Sequence, residues 1–96
     1  MESNNNSEII AATKILLSIS NADGNIDKNE QNIINVILHD FFEISIDDAS
    51  KITTNTLIDF NKSSDIYDDS KVLNKAFSYQ DKIDFICCCF EVALAD

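Results

Sequence analysis

The chain has 96 residues, the size of one domain with a single modest core. It has no proline, one glycine and 45% hydrophobic residues, a composition that favours helices over a turn-rich β protein. Its formal net charge is −10, and such a surface repels the phosphate backbone of nucleic acids. We therefore expect an all-α domain that does not bind nucleic acid and whose natural partners are cations and basic protein surfaces.

Residues 1–6 are polar, and we expect a disordered tail there, followed by a single domain at residues 7–96. The N-terminal segment has no basic region ahead of an isolated apolar stretch, so it does not resemble a signal peptide. No apolar run approaches the roughly 20 residues that a membrane-spanning helix needs. The adjacent cysteines Cys87, Cys88 and Cys89 form no spaced disulfide framework. We expect a cytoplasmic protein without a membrane span.

The first predicted helix begins near Ser7 and ends before the only glycine, Gly24, which marks a sharp turn. Apolar residues extend around most of this helix through Ile15 and Ile19, so we expect it to be central to the bundle. The residues predicted to form its main buried face, at helical spacing, are Ile9, Ile10, Thr13, Leu16, Leu17 and Ser20.

The turn that follows, residues 21–30, has the sequence NADGNIDKNE. Asp27 and Glu30 predict a capping box, in which each side chain accepts a hydrogen bond from the backbone amide of the other residue. From the residues alone, a helix cap and a tight turn at Gly24 explain the segment without a metal.

The same turn also offers oxygen ligands in a spacing similar to the first half of an EF-hand loop, namely Asp23, Asn25, Asp27 and Glu30. An EF-hand needs glycine at the sixth loop position and a bidentate Glu at the twelfth, whereas Gly24 is second and Glu30 is eighth. The segment is therefore not an EF-hand.

The middle of the chain predicts two more helices. The second helix has the clearest apolar stripe, formed by Ile33, Ile34, Ile37, Leu38, Phe41 and Phe42. His39 lies at the edge of this stripe, and we assign it no chemistry because no nucleophile pattern accompanies it. Ser45 predicts the N-cap of the third helix, whose dipole Asp47 and Asp48 complement. The third stripe comprises Ala49, Ile52, Thr53, Thr56, Leu57 and Phe60.

The pattern breaks at residues 63–65, and a fourth helix leads to Phe77. Ser78 and Asp81 give the start signal of the last helix. Its predicted buried stripe is Ile83, Ile86, Cys87, Phe90, Ala93 and Leu94. Adjacent helical residues point about 100° apart, so the three cysteines cannot converge on one ion and are interpreted as small residues in or near the core. Cys88, on the more polar side, is the one expected to be open to oxidation or crosslinking.

Two motifs and a corner between them resemble the TerB family, the tellurite-resistance B domain that is also found attached to DjlA-type co-chaperones. The first motif is Ala22-Asp23-Gly24, then five residues and Glu30; the corner is residues 42–45; the second motif is VALAD at residues 92–96. The resemblance covers residues 8–96. The chain lacks the second glycine, the second Glu and the helices that follow them in the C-terminal part of the family pattern.

This resemblance implies a compact, TerB-like bundle of about five helices in which the two acidic motifs lie close together. It also implies a non-enzymatic stress-response module, of the tellurite, chemical-stress or phage-defence type, whose acidic helix-turn-helix site takes a divalent cation or a basic protein partner. The ligands carried over from the family are Asp23, Glu30 and Asp96, and the turn itself adds Asn25 and Asp27. Oxygen ligands of this kind favour Ca²⁺ or Mg²⁺.

Two other classes of function compete with this one. An enzyme would need a nucleophile with its base, or an acid–base carboxylate pair in a pocket, and the sequence has no such pattern. The alternative is a purely structural interaction adaptor, or a co-chaperone-associated domain, with no metal site. Because the later family helices are missing, the apolar faces of helices one and five are expected to be partly exposed and to bind a protein partner or a second copy.

Overall fold

The computed structural model describes residues 6–20, 27–60 and 66–94. These ranges contain five helices and no strand: α1 (Asn6–Ser20), α2 (Lys28–Phe42), α3 (Ile46–Phe60), α4 (Ile66–Ala76) and α5 (Tyr79–Ala93). The predicted all-α bundle is confirmed. None of the helices described is both long enough and apolar enough to cross a membrane. The predicted tail falls outside the described residues except for Asn6, where α1 begins.

The N-cap hydrogen bonds predicted at the starts of α3 and α5 are present. The Oγ atom of Ser45 accepts from the amide of Asp48 at 3.0 Å, ahead of α3. Before α5, the Oγ atom of Ser78 accepts from the amide of Asp81 at 3.1 Å, and the Asp81 carboxylate accepts from the Ser78 amide at 3.2 Å. Each bond satisfies an amide that has no partner inside its own helix.

The turn from α2 to α3 is built without glycine. Glu43 follows the last residue of α2 and has left-handed backbone angles, φ 58° and ψ 42°. A non-glycine residue in this conformation costs roughly 1 kcal/mol. The ring nitrogen Nδ1 of His39 forms a hydrogen bond with the carbonyl oxygen of Ile44, which closes the turn from the α2 side. The lone histidine thus has a structural contact at this turn.

Helix α1 lies at the centre of the bundle and contacts each of the other four helices. Leu16 and Leu17 have no exposed surface, and Ala12 allows neighbouring backbones to approach closely. The central position predicted for α1 is confirmed. The predicted buried face needs one correction, because Ile10 is exposed: the side chains buried at helical spacing begin at Ile9 and continue at Ala12, leaving Ile10 outside the packed stripe.

Four phenylalanines join α2 to α5 at one end of the bundle. The ring of Phe41 lies 5.1 Å from Phe42, 5.2 Å from Phe77 and 5.8 Å from Phe85, between ring centroids. The rings meet mostly edge to face or tilted, arrangements that aromatic quadrupoles favour. This cluster fixes how α5 is rotated about its own axis.

The buried stripe predicted for α5 is wrong. Ile86 is 55% exposed, Phe90 63% and Leu94 81%, and Ile83, Cys87 and Ala93 are exposed as well. The core instead receives Phe85 and Val92, with Cys88 and Cys89 half-buried beside them. Both sets have helical spacing, and the contacts of α5 with α1 and α2 decide which set is covered.

The positions of the cysteines change accordingly. Cys87, predicted to belong to the core stripe, is exposed. Cys88, predicted to lie on the polar side, is half-buried and packs against the core. Cys89 also packs against the core, in agreement with its interpretation as a small residue in or near the core.

We predict that Leu16→Ala lowers the free energy of unfolding by about 2–5 kcal/mol, because it leaves a cavity where α1 meets the other helices. Ile58→Ala is the matched control, since Ile58 is 68% exposed on α3, and it should change stability by less than about 1 kcal/mol. Urea unfolding followed by far-UV circular dichroism measures both. Equal losses in the two variants would contradict the central role of α1.

Candidate functional site

The N-terminus of α2 holds two of the predicted site residues in a fixed arrangement. The Oδ1 atom of Asp27 accepts from the amide of Glu30 at 2.9 Å, and the Oε1 atom of Glu30 accepts from the amide of Asp27 at 3.2 Å. The predicted capping box is therefore confirmed. Asp27 is exposed, whereas Glu30 is only 8% exposed. An exposed carboxylate, that of Asp27, thus lies beside the almost fully buried side chain of Glu30.

The other predicted ligands, Asp23, Asn25 and Asp96, lie outside the described residues. In the described ranges, no group of three or more His, Cys, Asp and Glu side chains is close enough to hold a metal ion. A cation beside Asp27 and Glu30 would therefore need further ligands from residues 21–26, from the end of the chain or from water. The pairing of the two acidic motifs stays a prediction.

A second acidic region lies where α2 meets α5. Burial is the main cause that raises the pKa of the Cys88 thiol, and the negative charges of Glu91, Asp84 and Asp40 raise it further. Burial also raises the pKa of the Cys89 thiol, to about 11. Both thiols are therefore held in their neutral form at physiological pH, where they are poor nucleophiles and poor metal ligands.

Helix α5 leaves one apolar face uncovered. We call the side chains of Ile83, Ile86, Phe90 and Leu94 the α5 apolar face. All four are exposed, between 39% and 81%. Their spacing along the chain is three, four and four residues, so they form a continuous row on one side of the helix. The exposed Cys87 lies beside this row.

An apolar groove adjoins the α5 apolar face on the side of α4. It has a volume of about 320 Å³ and is lined by Leu73, Phe77, Phe85, Ile86 and Cys89, with Ile15 of α1 also contributing. Its polar lining consists of Ser70, Asn74 and Lys82. Ile86 belongs both to the groove and to the α5 apolar face, so the two form one surface.

The absence of the later family helices predicted partly exposed apolar faces on helices one and five, but periodicity assigned the wrong α5 residues to the core. The sequence signal that could have found the correct face is the phenylalanine pattern. Phe85 is the aromatic residue on α5 that can join Phe41 and Phe77, and placing it inward turns Phe90 outward.

A comparison with family models agrees with this architecture and with the Ala-Asp-Gly motif. Residues 9–96 match the family described as tellurite resistance protein TerB. The chain belongs to the TerB family. No curated protein and no solved structure matches it. The match places the acidic turn, the corner after α2 and the whole of α5 inside the TerB domain.

We predict that iodoacetamide modifies Cys87 first and Cys89 last. Cys87 is exposed, whereas a pKa of about 11 leaves Cys89 almost entirely as the unreactive thiol near pH 8. Because the raised pKa lies above the assay range, alkylation of Cys89 should keep accelerating as the pH rises from about 8 to about 10. Tandem mass spectrometry of timed samples measures the order. Cys87→Ser should remove the fast phase and Cys89→Ser should leave it; a fast phase that survives Cys87→Ser would show that the exposed face of α5 is assigned wrongly.

Proposed function

We propose that this TerB-family chain is a non-enzymatic, cytoplasmic stress-response module whose acidic turn binds a divalent cation, or a basic protein segment in its place. The observation that carries the proposal is the Asp27–Glu30 pair, because the capping box fixes both carboxylates before any ligand arrives. A preorganised site loses less side-chain entropy on binding than a flexible one.

A cation at this position would share the two carboxylates with the capping box. The box uses Oδ1 of Asp27 and Oε1 of Glu30. Ca²⁺ takes six to eight oxygen ligands and Mg²⁺ six, so the pair supplies a minority of the shell. Asp23, Asn25 and Asp96 are the further ligands that we propose, as the acidic motifs of the sequence suggest.

The charges at the N-terminus of α2 include one that opposes a cation and others that attract it. A helix N-terminus carries about half a positive charge, which opposes a cation. Two carboxylates at the same place outweigh it, and the net charge of −10 adds a long-range attraction for cations. The same charge opposes the binding of tellurite, which is an oxyanion. We therefore propose that any role in tellurite resistance runs through assembly or signalling.

The alternative is a structural adaptor or co-chaperone-associated domain in which Asp27 and Glu30 only cap α2. The capping box of Ser78 and Asp81 favours it, because that box has the same geometry at α5 with no comparable acidic turn before it. Helix capping alone is thus sufficient to explain the pair of acidic side chains at Asp27 and Glu30.

We predict that Glu30→Gln abolishes saturable binding of Ca²⁺ or Mg²⁺ with little loss of stability. Glutamine retains the oxygen that accepts from the Asp27 amide but removes the charge. Titration of metal-stripped protein, followed by backbone amide NMR, measures binding at residues 23–30 and at Asp96. The change in unfolding free energy should stay within about 1 kcal/mol.

Asp81→Asn is the matched control, since it makes the same kind of change in the capping box of α5 and should leave the titration unchanged. Saturable shifts of equal affinity in Glu30→Gln and the unmodified protein would refute the cation site. Small, linear shifts in all three proteins would favour the adaptor.

A further inference from the structure

We propose that the α5 apolar face and the adjoining groove form a docking site for an amphipathic helix of another protein, one that carries Lys or Arg beside its apolar ridge. This site is separate from the acidic turn at Asp27 and Glu30 and does not depend on the function proposed for that turn.

The α5 apolar face has the shape that a helix recognises. Its row from Ile83 to Leu94 runs along most of α5, a 15-residue helix about 22 Å long. An incoming helix that places residues at positions i, i+3, i+4 and i+7 against this row would bury it along its whole length. Phe90, at 63% exposed, is the large aromatic side chain near the middle of the row, where interface hot spots concentrate.

The groove beside this row gives the site depth. Its volume of about 320 Å³ falls at the lower end of the range for small-molecule pockets, which is enough for one large apolar side chain of the partner. Leu73 and Phe77 line the groove together with Ile86, which is also part of the row. A partner that lies along Phe90 and Ile86 would therefore reach the groove with an adjacent anchor residue.

The charge along one border selects the partner. Asp84 and Glu91 are exposed on the side of α5 that faces α2. The exposed Asp40 of α2 lies near them, and the negative charges of all three carboxylates raise the pKa of the Cys88 thiol. On the opposite border, Lys82 lines the groove. Lys or Arg residues of a partner helix would meet the three carboxylates, and an acidic partner would be repelled.

Electrostatics also disfavour a second copy of this chain as the occupant. Each copy carries a formal net charge of −10, and pairing two α5 faces would bring two acidic molecules together. A basic helix would reduce the same charge on binding. Charge complementarity therefore favours a partner of opposite charge over self-association.

The test uses the full chain and a fluorescein-labelled synthetic peptide of roughly 18 residues, with leucine at heptad positions a and d and lysine at e and g. Its matched control has glutamate in place of lysine. Fluorescence anisotropy should show that the lysine peptide binds at least about tenfold more tightly than the glutamate peptide. The preference should weaken when the salt concentration rises from about 50 mM to about 500 mM, because the charges are exposed.

Two double variants distinguish docking on α5 from nonspecific hydrophobic binding of the peptide. Ile86→Ser with Phe90→Ser should weaken binding by at least about tenfold, whereas Ile46→Ser with Ile58→Ser, which removes two exposed side chains from α3, should change it less than about twofold. Far-UV circular dichroism checks that both remain folded, as expected for exposed positions. Asp84→Asn with Glu91→Gln should reduce the lysine preference and the salt dependence.

Three results would overturn the proposal. The first is equal affinity for the lysine and glutamate peptides, and the second is equal peptide affinity of the α5 serine variant (Ile86→Ser with Phe90→Ser) and the α3 serine variant (Ile46→Ser with Ile58→Ser). The third is a dimer in sedimentation experiments that only the α5 serine variant dissociates. The last result would assign the face to a second copy. Glu30→Gln should bind the peptide normally, so that failure of the cation site and failure of the docking site are distinguished.

Discussion

The packing of α1 against every other helix is the interaction on which the rest of the structure depends. Leu16 and Leu17 are fully buried at its centre, and the alanines of its first half let neighbouring helices approach closely. A chain of 96 residues builds one core, and α1, which contacts all the other helices, supplies five of the thirteen buried apolar side chains among the described residues. The Asp27–Glu30 capping box and the α5 apolar face both belong to helices that pack against it.

The packing of helix α5 leaves one of its two apolar sides exposed. The helix has apolar side chains on two sides, and α1 and α2 cover one of them through Phe85 and Val92. The other side, with Ile86 and Phe90, stays exposed beside the groove. Contiguous apolar surfaces of this kind are typical of interaction sites, and this observation supports the docking proposal. The acidic border is the basis for the proposed preference for partners of opposite charge.

The two proposed sites have different physical origins. At the N-terminus of α2, hydrogen bonds between residues three apart fix Asp27 and Glu30, so local structure alone arranges them. The α5 apolar face and its groove arise only when α1, α4 and α5 are assembled. A TerB domain built in this way can keep one site that depends on carboxylates and another that depends on apolar contact.

By itself, the sequence determined the helices, the capping boxes at Asp27 and Ser78, the stripe of α2, the central place of α1 and the TerB resemblance. These features depend on residues a few positions apart, where hydrogen-bonding geometry and the helical repeat leave one solution. Tertiary structure decided which side of α5 is buried, and with it the exposure of Cys87 and Phe90. Both sides satisfy the same helical spacing, so only the phenylalanine cluster and the contacts with α1 and α2 could choose between them.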